Sequence, residues 1–304
     1  MGTKQRYRTR PPAILLLGIA LVALGGLSAC QPDADGCPTA TLPTTVAYRA
    51  IPGVDRDATS LDIHAPAKPC RAPVVVWVHG GGYHVGDKAN QIAAKARLFN
   101  SKGWILVSVN YRLTVAGDPS SAHYPDHYED VAAALGWISK NIRNYGGDQS
   151  RLALLGHSAG ADIVANVADQ TRFLHAQGLP MATVDCVAPL DTEGFDKLTS
   201  VGDEDSAMWE SALGNEPDYL TKTSATRFIA ETPKLADTFT VFRGDATRQS
   251  IEKAYATKVA TTGAAVTLVD ARGLTHAEVS SRIGASGDTV ITPPLVAFLS
   301  RCLR

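Results

Sequence analysis

The sequence has no excess of charge of either sign. Lys and Arg number 29 against 30 Asp and Glu, a formal net charge of −1. Phosphate binding needs a dense basic face, so no nucleic-acid partner is expected. Long apolar runs are scarce as well: one stretch, Ala13–Ala29, is apolar enough to touch a membrane, which excludes a polytopic membrane protein. No dinucleotide fingerprint is present, and no His, Cys or carboxylate pair has the spacing of a zinc site. The expectation is therefore no cofactor and no metal. With 45% hydrophobic and 19% charged residues there is material for a sizeable core, and disorder as the main state is excluded.

The apolar stretch follows Lys4, Arg6, Arg8 and Arg10, the order of a secretory signal. It ends Leu27-Ser28-Ala29-Cys30, which resembles the bacterial lipobox, in which the Cys receives a lipid and becomes the new N-terminus. Twin arginines are absent, so export in the unfolded state is expected. Residues 1–29 then read as a lipoprotein-type signal peptide, and 275 residues remain, with 25 basic against 30 acidic groups. A lipid on Cys30 would tether the domain to a bacterial membrane, periplasmic or at the cell surface, without spanning it. Residues 30–45, rich in Pro, Thr and Asp, read as a flexible tether.

Five cysteines fit that address. Setting Cys30 aside leaves Cys37, Cys70, Cys186 and Cys302, which allow three pairings outside the cytoplasm. Cys37–Cys70 and Cys186–Cys302 are favoured. The first would tie the tail to the segment before a core strand, and the second would pin the last helix to a strand.

From Val46 onward strand and helix patterns alternate. Thr45–Ile51 and Ser60–His64 read as paired strands. Pro73–His79, Trp104–Asn110, Arg151–Gly156, a strand containing Cys186-Val187-Ala188, Thr238–Arg243 and Ala265–Val269 follow. Runs such as Val74-Val75-Val76-Trp77-Val78 suit strands buried on both faces. Between them Lys88–Ser101, Asp126–Asn144, Ala159–Gln177, Gln249–Thr262 and Asp288–Cys302 have helical apolar spacing. Alternation implies βαβ units, hence an α/β domain over residues 46–304 with a mostly parallel sheet and helices on both faces. Residues 191–237 break the rhythm and are expected to form a small cap, with a short helix near Asp205–Leu213.

Gly156-His157-Ser158-Ala159-Gly160 matches G-x-S-x-G between a buried strand and a helix. A sharp turn there forces the Ser hydroxyl outward, and the helix start behind it offers free N–H groups. Ser158 is the expected nucleophile. His79-Gly80-Gly81-Gly82-Tyr83, with Gly86, follows an earlier strand. Consecutive glycines can aim N–H groups at one point, so Gly81 and Gly82, with Ala159, are the expected oxyanion hole. The loop lacks the Lys-Ser or Lys-Thr of a phosphate loop. His79 reads as structural.

On these motifs the chain resembles the α/β-hydrolases of the esterase/lipase superfamily, in the branch of carboxylesterases related to bacterial feruloyl esterases and kynurenine formamidase. Supporting pieces are Asn110-Tyr111-Arg112-Leu113, Tyr124-Pro125 with Glu129-Asp130, and Gly146-Gly147-Asp148, in that order. The resemblance implies the chain order Ser, acid, His. After Ser158 only His175 and His276 remain, and His276, in a loop before the last helix, is the expected base. The resemblance also places a Gly-x-x-Asp after the penultimate strand. Here Gly244-Asp245-Ala246-Thr247 puts Thr at that point, so Asp245 is the expected acid, with Asp191 the next choice and Asp270 and Glu278 behind.

The resulting expectation is a serine carboxylic-ester hydrolase for small or aryl esters, monomeric or dimeric. The alternatives are an amidase or formamidase of the same fold, or a catalytically decayed, lipid-anchored binding protein.

Overall fold

The computed structural model describes residues 37–38, 43–199, 206–214, 218–229 and 235–304. The signal segment and Cys30 lie outside these residues. β1 (Thr44–Ala47), β2 (Ser60–His64), β3 (Ala72–Val78), β4 (Ile105–Val109), β5 (Gly147–His157), β6 (Cys186–Leu190), β7 (Asp237–Phe242) and β8 (Val266–Asp270) form one sheet in the order β1-β2-β4-β3-β5-β6-β7-β8. β1 and β2, and β2 and β4, pair antiparallel, and every later pairing is parallel.

The helices are α1 (Ile92–Ser101), α2 (Asp126–Asn141), α3 (Ala159–Asp169), α4 (Thr171–Ala176), α5 (Ser206–Leu213), α6 (Tyr219–Lys222), α7 (Ala246–Ala260), α8 (His276–Ser281) and α9 (Thr292–Cys302). The alternation expected from sequence is present. In β3, Val74, Val76 and Val78 pack with α2 and α3, while Val75 and Trp77 pack with α1 and α9. A central strand covered on both faces therefore reads as a continuous apolar run. Each fully buried Val or Leu contributes on the order of 1.5–3 kcal/mol.

Several boundaries differ from expectation for local reasons. β1 starts at Thr44, inside the expected tether, and ends at Ala47. Beyond it, Tyr48 and Arg49 are held by their own side chains: Tyr48 Oη donates to the Asn110 carbonyl at 2.8 Å, and Arg49 pairs with buried Asp130 at 2.8 Å. The expected helix Ala159–Gln177 breaks at Gln170, whose backbone is extended (φ −111°, ψ 117°). Its amide instead donates to Asn166 Oδ1 at 2.5 Å and to the Lys222 carbonyl at 3.1 Å. α1 begins four residues later than expected because Gln91 is left-handed (φ 54°). α9 begins at Thr292 because the Asp288 carboxylate accepts from the amides of Val290, Ile291 and Thr292. The short α8, unforeseen, is nucleated by a capping box between Thr275 and Glu278.

The described part of the segment between β6 and β7 lies over the site at the carboxyl ends of the strands, and Trp209, Ala212 and Leu213 of α5 join the core there. It is latched from below. Lys197, fully buried, donates to Asp162 Oδ1 at 2.5 Å and to the carbonyls of Gly194 (3.1 Å) and Thr223 (2.6 Å). The other Asp162 oxygen accepts from Tyr83 (2.6 Å) and Tyr128 (2.7 Å).

Both favoured disulfides are present, Cys37–Cys70 and Cys186–Cys302. The second closes a loop of sequence separation 116 and ties the end of α9 to the start of β6. Replacing Cys186 and Cys302 by Ala should cost about 2–5 kcal/mol in urea unfolding, a loss that reductant, which opens Cys37–Cys70 as well, should equal or exceed in the unaltered protein.

Candidate active site

Main chain approaches main chain at this site with no room for side chains. Ser158 sits between β5 and α3 at φ 58°, ψ −124°, a conformation sparsely populated by any residue but Gly. A Cβ on Gly160 would stand 2.3 Å from the Val78 carbonyl oxygen, and one on Gly156 would stand 2.3 Å from that of Gly160. The loop after β3 presses on the same turn: a Cβ on Gly80 would meet the His157 carbonyl oxygen at 2.8 Å and Ser158 Cβ at 3.0 Å. The glycines of both motifs thus let the two loops touch, and the Ser158 hydroxyl is pushed out of the turn.

His276 opens α8 and is oriented by the capping box one residue before it. Its Nε2 lies 2.9 Å from Ser158 Oγ, and its Nδ1 lies 2.6 Å from Asp191 Oδ2. Asp191, immediately after β6, is fully buried and left-handed at φ 63°. Ser158, His276 and Asp191 therefore form one continuous hydrogen-bonded chain. Asp245, the acid expected from sequence, is not part of it. Its carboxylate caps α7 by accepting from the Arg248 amide at 2.9 Å, and it is exposed. Asp270 pairs with Arg272, and Glu278 belongs to the capping box.

Asp191 is surrounded by charge. Arg243 Nε donates to Oδ2, and Arg248 Nε donates to Oδ1 at 2.9 Å. Burial opposes its ionisation, but the His276 hydrogen bond, the Arg248 charge and the Arg243 hydrogen bond together hold the carboxyl well below the usual carboxylate range. Nearby Glu252 goes the other way: burial, reinforced by the Asp191 charge, pushes it up to about 9, so it is neutral at pH 7. His157, beside the nucleophile, is lowered to about 3, first by burial and then by His276. It is therefore neutral, and its Nε2 donates to the His276 carbonyl at 2.8 Å, a contact that requires the Nε2–H tautomer.

Two cavities meet at Ser158 and His276. One, of about 500 Å³, is lined by Trp77, Gly81, Gly82, Gln91 and Ser280. The other, of about 320 Å³, lies under the cap between Tyr83, Ala159, Met208, Trp209, Arg243 and Arg248. Gly81, Gly82 and Ala159 thus border the space next to Ser158. As the first residue of α3, Ala159 has an N–H with no acceptor within its helix. A larger cavity of about 590 Å³, beside Trp137 and Arg172, lies away from Ser158, so size alone does not locate the chemistry. His157, Asp191 and His276 also form a cluster of potential metal donors within 4.8 Å of one another. The two guanidinium groups on Asp191 oppose a cation there.

Sequence reasoning named Ser158 and His276, which the structure brings together, but ranked Asp191 second. It missed the Arg243, Arg248 and Glu252 cluster and the Asp162–Lys197 pair. The sequence pattern placed the helix at Gln249–Thr262; α7 starts three residues earlier, at Ala246, which makes Asp245 its cap.

The fold is that of the α/β-hydrolases. An esterase from Pyrobaculum calidifontis superposes with a TM-score of 0.65 at 22% identity, covering 81% of this chain and 82% of that one. A bacterial heroin esterase gives 0.65 at 21% identity, covering 81% and 80%. The BD-FAE family model matches residues 61–250, more than half of the chain, and the chain belongs to that family. Among curated relatives, the para-nitrobenzyl esterase of Bacillus subtilis (strain 168) is 30% identical over 136 residues, 42% of this chain and 28% of that protein. The probable N-octanoylanthranilate hydrolase AqdA2 of Rhodococcus erythropolis is 35% identical over 156 residues, 50% of this chain and 33% of that protein. The chain spans a third or less of the length of these relatives.

Asp162 lies one turn into α3, and its amide donates to the Ser158 carbonyl at 3.1 Å. Asp162→Ala would strand the Lys197 ammonium in the interior and should cost about 3–5 kcal/mol, read as a fall in the urea midpoint.

Proposed function

We propose that this protein is a serine carboxylic-ester hydrolase acting on small or aryl esters. The observation that carries this reading is the hydrogen-bonded chain Ser158–His276–Asp191 beside the glycine loop. The relatives' names, esterase and hydrolase, support the same chemistry.

In this mechanism Ser158 Oγ attacks the ester carbonyl carbon while His276 Nε2 takes its proton. The carbonyl oxygen becomes an oxyanion, stabilised by N–H groups of Gly81, Gly82 and Ala159 aimed at where the charge develops. The tetrahedral adduct collapses, and His276 returns the proton to the departing alcohol. Water, deprotonated by His276, then attacks the acyl-enzyme and releases the acid. Asp191 stays ionised throughout, holding the Nδ1–H tautomer and stabilising the imidazolium as it forms. Glu252, His157 and the cap exclude water from its far side.

The case for a decayed binding protein rested on the irregular loop at Thr247. The hydrogen bond from His276 to Asp191, after another strand, speaks against that reading.

We further propose that the domain is exported and anchored by a lipid on Cys30. The two disulfides support an oxidising compartment. If so, the full chain expressed in bacteria should incorporate a labelled fatty acid and Cys30→Ala should not.

Hydrolysis of p-nitrophenyl acetate, butyrate and octanoate tests the activity, and the chain-length profile sizes the acyl pocket. Ser158→Ala should lower kcat by at least roughly 10³-fold. A folded wild-type protein inert towards all three esters and unlabelled by a fluorophosphonate would sink the reading.

The acid assignment has its own pair of variants. Asp191→Asn should lower turnover on the order of 10²- to 10⁴-fold. Asp245→Asn should be silent, because Asn caps helices as well as Asp does. The opposite pattern would restore Asp245 as the acid.

A further inference from the structure

We propose that Arg243 and Arg248 are positioning residues for Asp191, keeping it ionised and aimed at His276, so that the stretch after β7 supplies cations to a carboxylate on β6. This rests on the hydrolase reading above.

The two arginines approach Asp191 from different elements. Arg243 follows β7 directly, and its Nε shares Asp191 Oδ2 with His276 Nδ1. Arg248 comes from the first turn of α7. Its Nε donates to Oδ1 at 2.9 Å and its Nη2 to the Asp191 carbonyl at 3.2 Å. Both carboxylate oxygens and the main chain are thus engaged, which fixes the plane of the carboxylate and the left-handed turn that carries it. Without that hold, the Oδ2 atom facing His276 would be free to rotate about the Cβ–Cγ bond.

Every other charged or titratable group facing this centre fits the same purpose. Glu193, two residues on, accepts from Arg248 Nη1. Glu252 of α7 accepts from the Arg243 amide at 2.9 Å, and its second oxygen stands 3.6 Å from Arg248 Nε. His157, at the end of β5, is packed on His276 with ring centroids 4.5 Å apart. Burial pushes Glu252 towards its neutral form, so the carboxylates of Asp191 and Glu193 stand against the two guanidinium groups. A carboxylate as buried as Asp191 needs cationic partners to offset its desolvation. The arginines do so without titrating.

A group that only glued α7 to β6 would affect stability alone. A positioning role affects the pH profile and turnover separately. Removing one positive charge beside the Asp191–His276 pair favours its protonated form. The acid limb of kcat/KM should therefore move to higher pH.

The test uses the full-length protein and p-nitrophenyl butyrate. Arg248→Met should raise the acid limb by about one pH unit and lower kcat by roughly 10- to 100-fold, with Arg243→Met behaving alike. Arg248→Lys restores charge without the fork, so the limb should return towards wild type while kcat stays low. Arg301→Met, an exposed cation far along α9, should change neither. A low-field proton resonance from the His276 Nδ1–H should weaken in the Met variants and persist in Arg301→Met. If the Met variants do not fold, Arg248→Lys decides: lowered kcat with an unmoved limb supports the proposal, and wild-type kcat overturns it. Folded Met variants with wild-type limb and kcat also overturn it, while loss of activity in Ser158→Ala would leave the hydrolase reading standing. A wild-type protein without esterase activity would bring down both.

Discussion

A carboxylate sealed from water at the end of a strand is the constraint around which this structure is arranged. Asp191 has no exposed surface, and an isolated charge there would be prohibitively costly. Its ionisation therefore depends on partners drawn from the residue after β7, from α7 and from α8. The order of the sheet makes this possible. β6 lies between β5, which the nucleophile follows, and β7, which the first arginine follows. Parallel strands deliver all their carboxyl ends to one edge, so residues far apart in sequence converge without long loops.

Much of this was legible in the chain and part was not. The continuous apolar runs fixed the strands because burial on both faces leaves no alternation to misread. Ser158 and the glycines after β3 were legible because their demands are local: a positive φ and a close backbone approach can be met only by certain residues in a certain order. His276 followed from the chain order Ser, acid, His that the resemblance implies, which left it and His175. Asp191 was harder, since its partnership with His276 spans 85 residues and depends on which strand stands next to which. Asp245 was attractive for its place after the penultimate strand, but an aspartate just before a helix has another use, and that local use prevailed. The arginine cluster leaves no local trace at all, because Arg in a first helical turn looks like any surface Arg until the opposing strand is placed.

The same division between local and tertiary information explains the helix boundaries. Propensity predicts one long helix across Gln170. The side-chain hydrogen bonds of Asn166 and Gln170 to the Thr223 and Lys222 carbonyls are tertiary, and they interrupt it. The nucleophile helix is thereby fastened to the covering segment at three points: Asp162, Asn166 and Gln170 lie four residues apart, on one face, and each reaches residues between β6 and β7. The cap is in this sense a continuation of the α3 interior and not an accessory resting on the sheet.

The Cys37–Cys70 bond has a mechanical consequence. β1 lies at the edge of the sheet, paired with β2 alone, and a pull on the preceding chain would peel such a strand away one hydrogen bond at a time. Cys70, however, stands two residues before β3, which pairs with β4 on one side and β5 on the other. Tension entering at Cys37 is diverted through the sulfurs into that central strand, where it loads many hydrogen bonds in parallel. The edge strand is left slack, and the domain can be tugged from its N-terminal side without being unzipped.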